Sequence, residues 1–184
     1  KPLISFAIEA ALGCSVFDQV VVSTDDQEIA EIAKGLGAEL PFIRPAEIAD
    51  DQTPTVPVIA HAIDACDKLG WGIDEVCCIY PGVPFISHED IRTAFKVLLL
   101  GNADYVFPVA EFPSPVQRAL RRSEDGSLVP LYPKYVGTRT QDLEPAFFDA
   151  GQFYWGHKRA WLDQLNIHLN GSTIIIPNWR VIDI

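Results

Sequence analysis

The sequence predicts a single three-layer α/β/α domain in which helices cover both faces of a mostly parallel sheet. Two observations carry this expectation. Short β-branched segments, such as residues 19–23 and 75–80, alternate with helical patterns of ten or more residues, the rhythm of strands joined by crossover helices. The centres of these strands, Val20-Val21-Val22 and Val76-Cys77-Cys78-Ile79, are apolar without a break, as strands buried on both faces tend to be. With 184 residues the chain can build one sizeable core and is too short for two ordinary domains.

The elements follow in order. Pro2 suits the first turn of a helix, and Leu3, Ile4, Ala7, Ile8, Ala11 and Leu12 form one stripe at helical spacing. Gly13 stands where a C-terminal cap belongs. Residues 19–23 are the first strand. Thr24-Asp25-Asp26 opens a helix through Lys34, with acids at its start and a base at its end to suit the helix dipole. A short strand spans 38–42. Thr53 and Pro54 supply the N-cap and first position of a helix running to about Leu69. Residues 75–80 form a strand, Ser87 caps a helix reaching Leu100, and 103–109 form another strand.

From Glu111 to Phe148 the pattern becomes Pro-rich, extended and hairpin-like. The turn Glu124-Asp125-Gly126-Ser127 separates segments 116–122 and 128–132. Phe112, Tyr132, Tyr135, Phe147 and Phe148 give this stretch more aromatic surface than a free loop exposes, so 111–148 is expected to be a dimerisation arm within the domain. Strand 153–155, a short helix over 157–164, and strands 172–176 and 181–184 complete the chain. A helix that begins at residue 2 predicts a strand and loop before it. The apolar strand at 181–184 likewise predicts a continuation, so the chain reads as trimmed at both ends.

Fourteen Lys and Arg against 25 Asp and Glu give a net charge of −11. That balance excludes a non-specific nucleic-acid binder, which needs cations to neutralise phosphates. No apolar run approaches the 18 or so residues of a membrane span, and Lys1-Pro2-Leu3 does not open like a secretory leader. The four cysteines, Cys14, Cys66, Cys77 and Cys78, form no C-x-x-C pair and are read as free thiols of a cytoplasmic protein. His61, His88, His157 and His168 lack metal-ligand spacing. Ser23, Ser87 and Ser114 lack a nucleophile elbow, and no glycine-rich phosphate motif is present.

Ligands in such sheets bind beyond the carboxyl ends of strands, which directs attention to 23–26, 44–55, 80–85 and 109–118. The loop from Arg44 to Thr55 offers a guanidinium, the hydroxyls of Thr53 and Thr55, and the free N–H groups of a helix start. It suits a nucleotide or phosphate, or is a surface loop with an ordinary cap. Tyr80-Pro81-Gly82-Val83-Pro84-Phe85 is a rigid turn that lines a pocket or merely ends a strand. Asp183 offers hard oxygen ligands to a divalent cation, or is structural.

Several segments together resemble one family. Val21-Val22-Ser23-Thr24-Asp25-Asp26, Gly37-Ala38-Glu39, Arg44-Pro45-Ala46-Glu47-Ile48-Ala49, and Asp51-Gln52-Thr53 ahead of His61-Ala62-Ile63 are similar to the acylneuraminate cytidylyltransferases (CMP-sialic acid synthetases). Phe112-Pro113-Ser114-Pro115-Val116-Gln117-Arg118-Ala119-Leu120, Thr138-Arg139-Thr140-Gln141-Asp142-Leu143 and Asp149-Ala150-Gly151-Gln152-Phe153-Tyr154-Trp155 resemble the pseudaminic acid cytidylyltransferase branch most. The resemblance implies a Rossmann-like nucleotidyltransferase fold and a homodimer. It implies Mg2+ and the reaction of CTP with a nine-carbon 2-keto sugar acid to give a CMP-sugar and pyrophosphate. Catalysis would then be mainly positioning and charge neutralisation.

The resemblance also implies roles. Arg44, Thr53 and Thr55 match the cytidine-side loop, and Tyr80, Pro81 and Gly82 the turn beside nucleotide and sugar. Gln117, Arg118, Gln152 and Tyr154 match the sugar side, with Arg118 paired to the carboxylate. Arg139 matches an arginine that crosses the dimer interface, and Asp183 the first acid of a metal-binding pair; Arg44 and Asp183 are the catalytic candidates. The family's Gly-rich loop would precede Lys1, and its second acid would follow Ile184. Gly82-Val83 stands where small hydroxyl residues are common, Glu144-Pro145 reverses the usual order, and Phe147-Phe148 replaces more polar residues. Activation of another ulosonic acid (legionaminic, N-acetylneuraminic or KDO) stays open as an alternative, as does a non-catalytic nucleotide-binding module.

Overall fold

The computed structural model describes residues 1–182. Its centre is β2 (Tyr105–Glu111), buried from Tyr105 through Ala110. Along one edge β2 pairs in parallel with β7 (Gly171–Ile175). Along the other it pairs antiparallel first with β6 (Phe153–His157) and then with β5 (Phe147–Asp149). β6 continues outward to pair antiparallel with β1 (Glu75–Ile79). The chain therefore kinks between β5 and β6. Gly151 sits there at φ +61°, a backbone conformation that costs glycine least, and its N–H is held by Asp149 Oδ1 at 2.8 Å. Pro108 faces this kink, its carbonyl accepting from Ala150 N at 3.1 Å. Its missing N–H thus falls between the two ladders, where a central strand tolerates proline.

Side chains alternate across the strands and build two cores. On one face Val106, Phe153 and Trp155 meet Ile91, Ala94 and Leu98 of α4 (His88–Leu100), with Ala10 of α1 (Ile4–Gly13). Trp155 stacks between Phe17 and Phe95, at centroid distances of 5.0 and 4.5 Å, and donates its indole N–H to the Ile91 carbonyl at 3.0 Å. On the other face Tyr105, Phe107 and Tyr154 meet Ile63 of α3 (Thr55–Asp67) and Ala160 and Trp161 of α5 (Lys158–Leu162). Gly156 makes this packing close. A Cβ there would stand 2.6 Å from both the Trp161 and Tyr105 rings. A smaller third cluster joins Ile8, Ala33 and Ala38 beneath α2 (Gln27–Gly35).

Local helix signals behave as expected. Asp26 caps α2 by accepting from Ile29 N, and Ser87 caps α4 by accepting from Glu89 N. Other expectations are corrected. The sheet is mixed rather than mostly parallel: β1, β2 and β7 share a direction, while β5 and β6 run against it. An apolar strand buried on both faces carries no mark of its direction. Residues 19–23 and 38–42 make only one parallel bridge, Val21 to Glu39, and Val20–22 stay half-buried. α3 starts at Thr55 with Pro54 as its cap, because the Thr53 hydroxyl turns back to Asp50 at 2.9 Å. His157 extends β6, which shortens the helix expected over 157–164.

The arm is an excursion from the sheet. Its two ends are sheet residues, since Glu111 pairs with Phe147 and Ala110 with Phe148. Between them lie 3-10 turns and one short hairpin, β3 (Leu120–Arg122) with β4 (Leu128–Pro130). Val181 and Ile182 belong to no strand, and the expectations placed on Asp183 and Ile184 lie outside the described residues. Among the described residues no helix is long and apolar enough to cross a membrane.

Candidate active site

A cleft of about 410 Å³ opens where the carboxyl end of β1 meets the amino end of α3. Tyr80 follows β1 directly, and Thr55 is the first residue of α3. Their hydroxyls lie 2.7 Å apart. The Tyr80 ring faces Tyr154 of β6 at 5.5 Å. The Tyr154 hydroxyl donates to Asp149 Oδ2 at 2.9 Å. Burial, and then the negative Asp149, push this phenol far above the ordinary tyrosine range, so it remains a hydrogen-bond donor at neutral pH. His168 completes the group, with Nε2 at 2.8 Å from the same carboxylate oxygen and its ring edge-on to Phe107 at 5.3 Å.

The loop 164–168 forms the far wall. Gln164 leaves α5 at φ +52°, and Leu165 N returns to the Ala160 carbonyl at 3.1 Å. Pro54, Val56, Pro57, Leu165 and Ile167 give the cleft an apolar lining, broken by the polar groups of Thr55, Tyr80, Tyr154, Asn166 and His168. Such a mixture suits a ligand that carries both apolar substituents and hydroxyl or amide groups.

Arg44 lies beside the 20–24 segment. Its guanidinium donates to Ser23 Oγ at 3.3 Å and to the Ser23 carbonyl, and its backbone N–H donates to Thr24 O at 2.9 Å. Arg44 forms no ion pair among the described residues, which leaves its charge for an anionic ligand. Asp50 organises the following loop, accepting from Gln52 N, Thr53 N and Thr53 Oγ1 at 2.8, 2.7 and 2.9 Å. These bonds hold its carboxyl below the usual range. The Thr53 hydroxyl is therefore committed to the loop, whereas that of Thr55 lines the cleft. Pro81 is exposed, Gly82 is half-buried and Val83 is buried.

The residues expected on the sugar side divide between places. Tyr154 lines the cleft. Gln152 is buried, its Nε2 donating to the Arg180 carbonyl at 2.8 Å while its Oε1 has no partner among the described residues. Arg180 in turn pairs with Asp90 at 2.5 Å. Gln117 and Arg118 lie in the arm. Gln117 donates to Glu144 O at 3.0 Å, and Arg118 to the carbonyls of Val136, at 3.2 Å, and Thr138. Arg139 makes a two-pronged pair with Asp142 at 2.7 and 3.3 Å and is otherwise open to solvent. Asp149, His168 and the 164–168 loop were not expected at all. Asp149 stood inside a quoted segment, but His168 carried no signal, because its partner is 19 residues away.

The family model described as "Cytidylyltransferase" matches residues 1–119. The chain is 36% identical over 185 residues to the pseudaminic acid cytidylyltransferase of Campylobacter jejuni subsp. jejuni, covering 100% of this chain and 80% of that protein. It is 33% identical over 183 residues to the CMP-N,N'-diacetyllegionaminic acid synthase of Legionella pneumophila subsp. pneumophila, covering 100% of this chain and 70% of the relative. Among solved structures, CMP:2-keto-3-deoxy-manno-octonic acid synthetase complexed with CTP superposes with a TM-score of 0.67 at 13% identity, over 96% of this chain and 80% of the other. At that identity the likeness speaks for the fold alone.

Proposed function

The chain belongs to the cytidylyltransferase family, and from that premise we propose that it activates a pseudaminic-type nonulosonic acid with CTP, giving the CMP-sugar and pyrophosphate. The observation that carries this reading is the 36% identity to a pseudaminic acid cytidylyltransferase along the whole chain. The geometry supports it with a cleft of sugar size, of mixed polarity, at the carboxyl end of a sheet strand.

In this reading the nucleotide lies toward Arg44, Thr55 and the Tyr80-Pro81-Gly82 turn, and the sugar acid lies on the Tyr154 side of the cleft. The anomeric hydroxyl of the sugar attacks the α-phosphorus in line, and pyrophosphate leaves. Arg44, already oriented by Ser23, neutralises phosphate charge with charge-assisted hydrogen bonds. Thr53 and Asp50 hold the loop that leads into α3, while Gln152 fixes the backbone from which Tyr154 projects.

Mg2+ is part of the same proposal. Among the described residues no three His, Cys, Asp or Glu side chains gather to hold a metal. The family resemblance gives the protein's share of the site to Asp183, a hard oxygen donor suited to a cation that takes its other ligands from phosphates and water. Bound there, Mg2+ would offset triphosphate charge that a −11 chain poorly offsets itself.

The arm is proposed to pair two subunits. Leu128, Val129, Leu131 and Val136 are exposed on it, and Arg118 stiffens the segment that presents Arg139 toward the neighbouring site. The four free cysteines and the use of CTP fit a cytoplasmic enzyme. The test is to incubate the protein with CTP, Mg2+ and a panel of nonulosonic acids, and to follow pyrophosphate release. Release with pseudaminic acid is expected; silence with every sugar overturns the reading.

A further inference from the structure

Asp90 and Arg180 belong to none of the roles above, yet they form a largely buried ion pair beside the turn 80–86. Arg180 Nη1 lies 2.5 Å from Asp90 Oδ2, with the two side chains 15% and 16% exposed. Asp90 stands in the first turn of α4, three residues after the Ser87 cap. Arg180 ends the 3-10 turn Asn178–Arg180, which leaves β7 by way of Ile176 and Pro177. A buried pair adds little net stability over well-packed apolar groups, because desolvation offsets the attraction. What it fixes is geometry, since any arrangement that strands one of the charges is costly.

The 178–180 turn meets both ends of the turn 80–86. At one end Tyr80 N donates to the Gln152 carbonyl at 3.0 Å, and Gln152 Nε2 donates to the Arg180 carbonyl at 2.8 Å. At the other end the Trp179 ring stands edge-on to Phe85 at 6.1 Å, and the Arg180–Asp90 pair ties the turn to the helix that Phe85 and Ile86 lead into. Between these points the main chain of 80–86 holds itself weakly. Pro81 and Pro84 have no N–H to give. Gly82, Val83 and Phe85 donate no main-chain hydrogen bond among the described residues, and Ile86 N to the Val83 carbonyl, at 3.1 Å, closes the far end. The shape of the Tyr80-Pro81-Gly82 stretch therefore depends on what grips its ends.

Resting on the function proposed above, we infer that Asp90 and Arg180 are positioning residues for the nucleotide. Their pair clamps the 178–180 turn against α4. That turn, through Gln152 and Trp179, holds Tyr80-Pro81-Gly82 in the shape that receives CTP. The pair acts through the turn and not by contact with CTP.

The test separates holding CTP from holding the fold. Arg180→Met leaves the Asp90 carboxylate buried without its cation and is expected to lower the unfolding midpoint. Asp90→Asn combined with Arg180→Met strands no charge, so the midpoint should return most of the way. The tie is still absent in this double variant. Its KM for CTP should stay raised about three- to tenfold, the range of one weakened neutral hydrogen bond, with the KM for the sugar acid unchanged. Arg180→Lys keeps a cation for Asp90 and should hold the KM for CTP nearer the wild-type value. Calorimetry with CTP and Mg2+ but no sugar should show the same loss of affinity, and amide exchange over 80–86 should quicken in the double variant. A KM for CTP that rises in Arg180→Met and returns with the midpoint in the double variant would overturn the proposal and leave the pair a structural one. So would a rise confined to the KM for the sugar. No turnover by the wild type with any sugar, while CTP still binds, overturns the cytidylyltransferase reading and leaves the calorimetric comparison to decide this one. No binding of CTP by the wild type overturns both.

Discussion

The cleft and the arm use their polar side chains in opposite ways. In the cleft, side chains from distant parts of the chain bond one another: Thr55 with Tyr80, Tyr154 with Asp149, and His168 with Asp149. In the arm, Gln117 and Arg118 donate to main-chain carbonyls, which shapes the backbone, and the side-chain pairs, such as Arg139 with Asp142, join residues only a few positions apart. The apolar groups are reversed as well. Phe107, Tyr154 and Trp161 are buried behind the cleft, whereas Leu128, Val129 and Val136 are exposed on the arm. The first arrangement is organised to grip a small molecule, and the second to present a surface.

The largest test breaks the body and spares the arm. Trp155→Ala removes an indole stacked on two rings together with its hydrogen bond to the Ile91 carbonyl. Urea unfolding should show a loss of about 3–5 kcal/mol. Arg44→Ala comes next, because it strikes the site without emptying a core. Losing a charge-assisted bond worth about 1.5–3 kcal/mol should raise the KM for CTP about ten- to a hundredfold, with the unfolding midpoint nearly unchanged. Unaltered kinetics would reduce Arg44 to a loop tie.

A pH series separates the regions again. Burial pushes the Cys78 thiol up from 9.0 to about 12. Above pH 9 the unfolded chain loses this proton while the folded chain keeps it, so the unfolded state binds fewer protons and stability falls as pH rises. Well below that value the thiol is protonated in both states and contributes no pH dependence. The share of Cys78 in the drop should reach about 1.4 kcal/mol at pH 10 and be missing in Cys78→Ala, whose remaining slope belongs to the other buried thiols that are also raised. The cysteines, at 14, 66, 77 and 78, all lie outside the arm, so dissociation of the proposed dimer should not follow the same curve. The smallest change in folding stability belongs to Val129→Ser. This exposed arm residue should alter unfolding by no more than about 0.5 kcal/mol, yet sedimentation should shift toward monomer. An unshifted dimer would remove the arm from the interface.

Helix starts and the segments that carry the site were legible in the sequence because their signals are local. Asp26 and Ser87 meet their capped N–H groups within three residues, and Thr55 and Tyr80 stand at element ends that hydrophobic patterning already marks. The direction of β6 was not legible, because a fully buried strand reads the same either way. Only the return of the chain through the Gly151 kink decides it. Nor was the cleft, whose bonds join residues 25, 5 and 19 positions apart. Periodicity reports which side of an element is apolar, a property of a few neighbouring residues. Which hydroxyl, carboxylate and imidazole come within 3 Å depends on how the sheet and helices pack, and that packing places Asp149 between Tyr154 and His168.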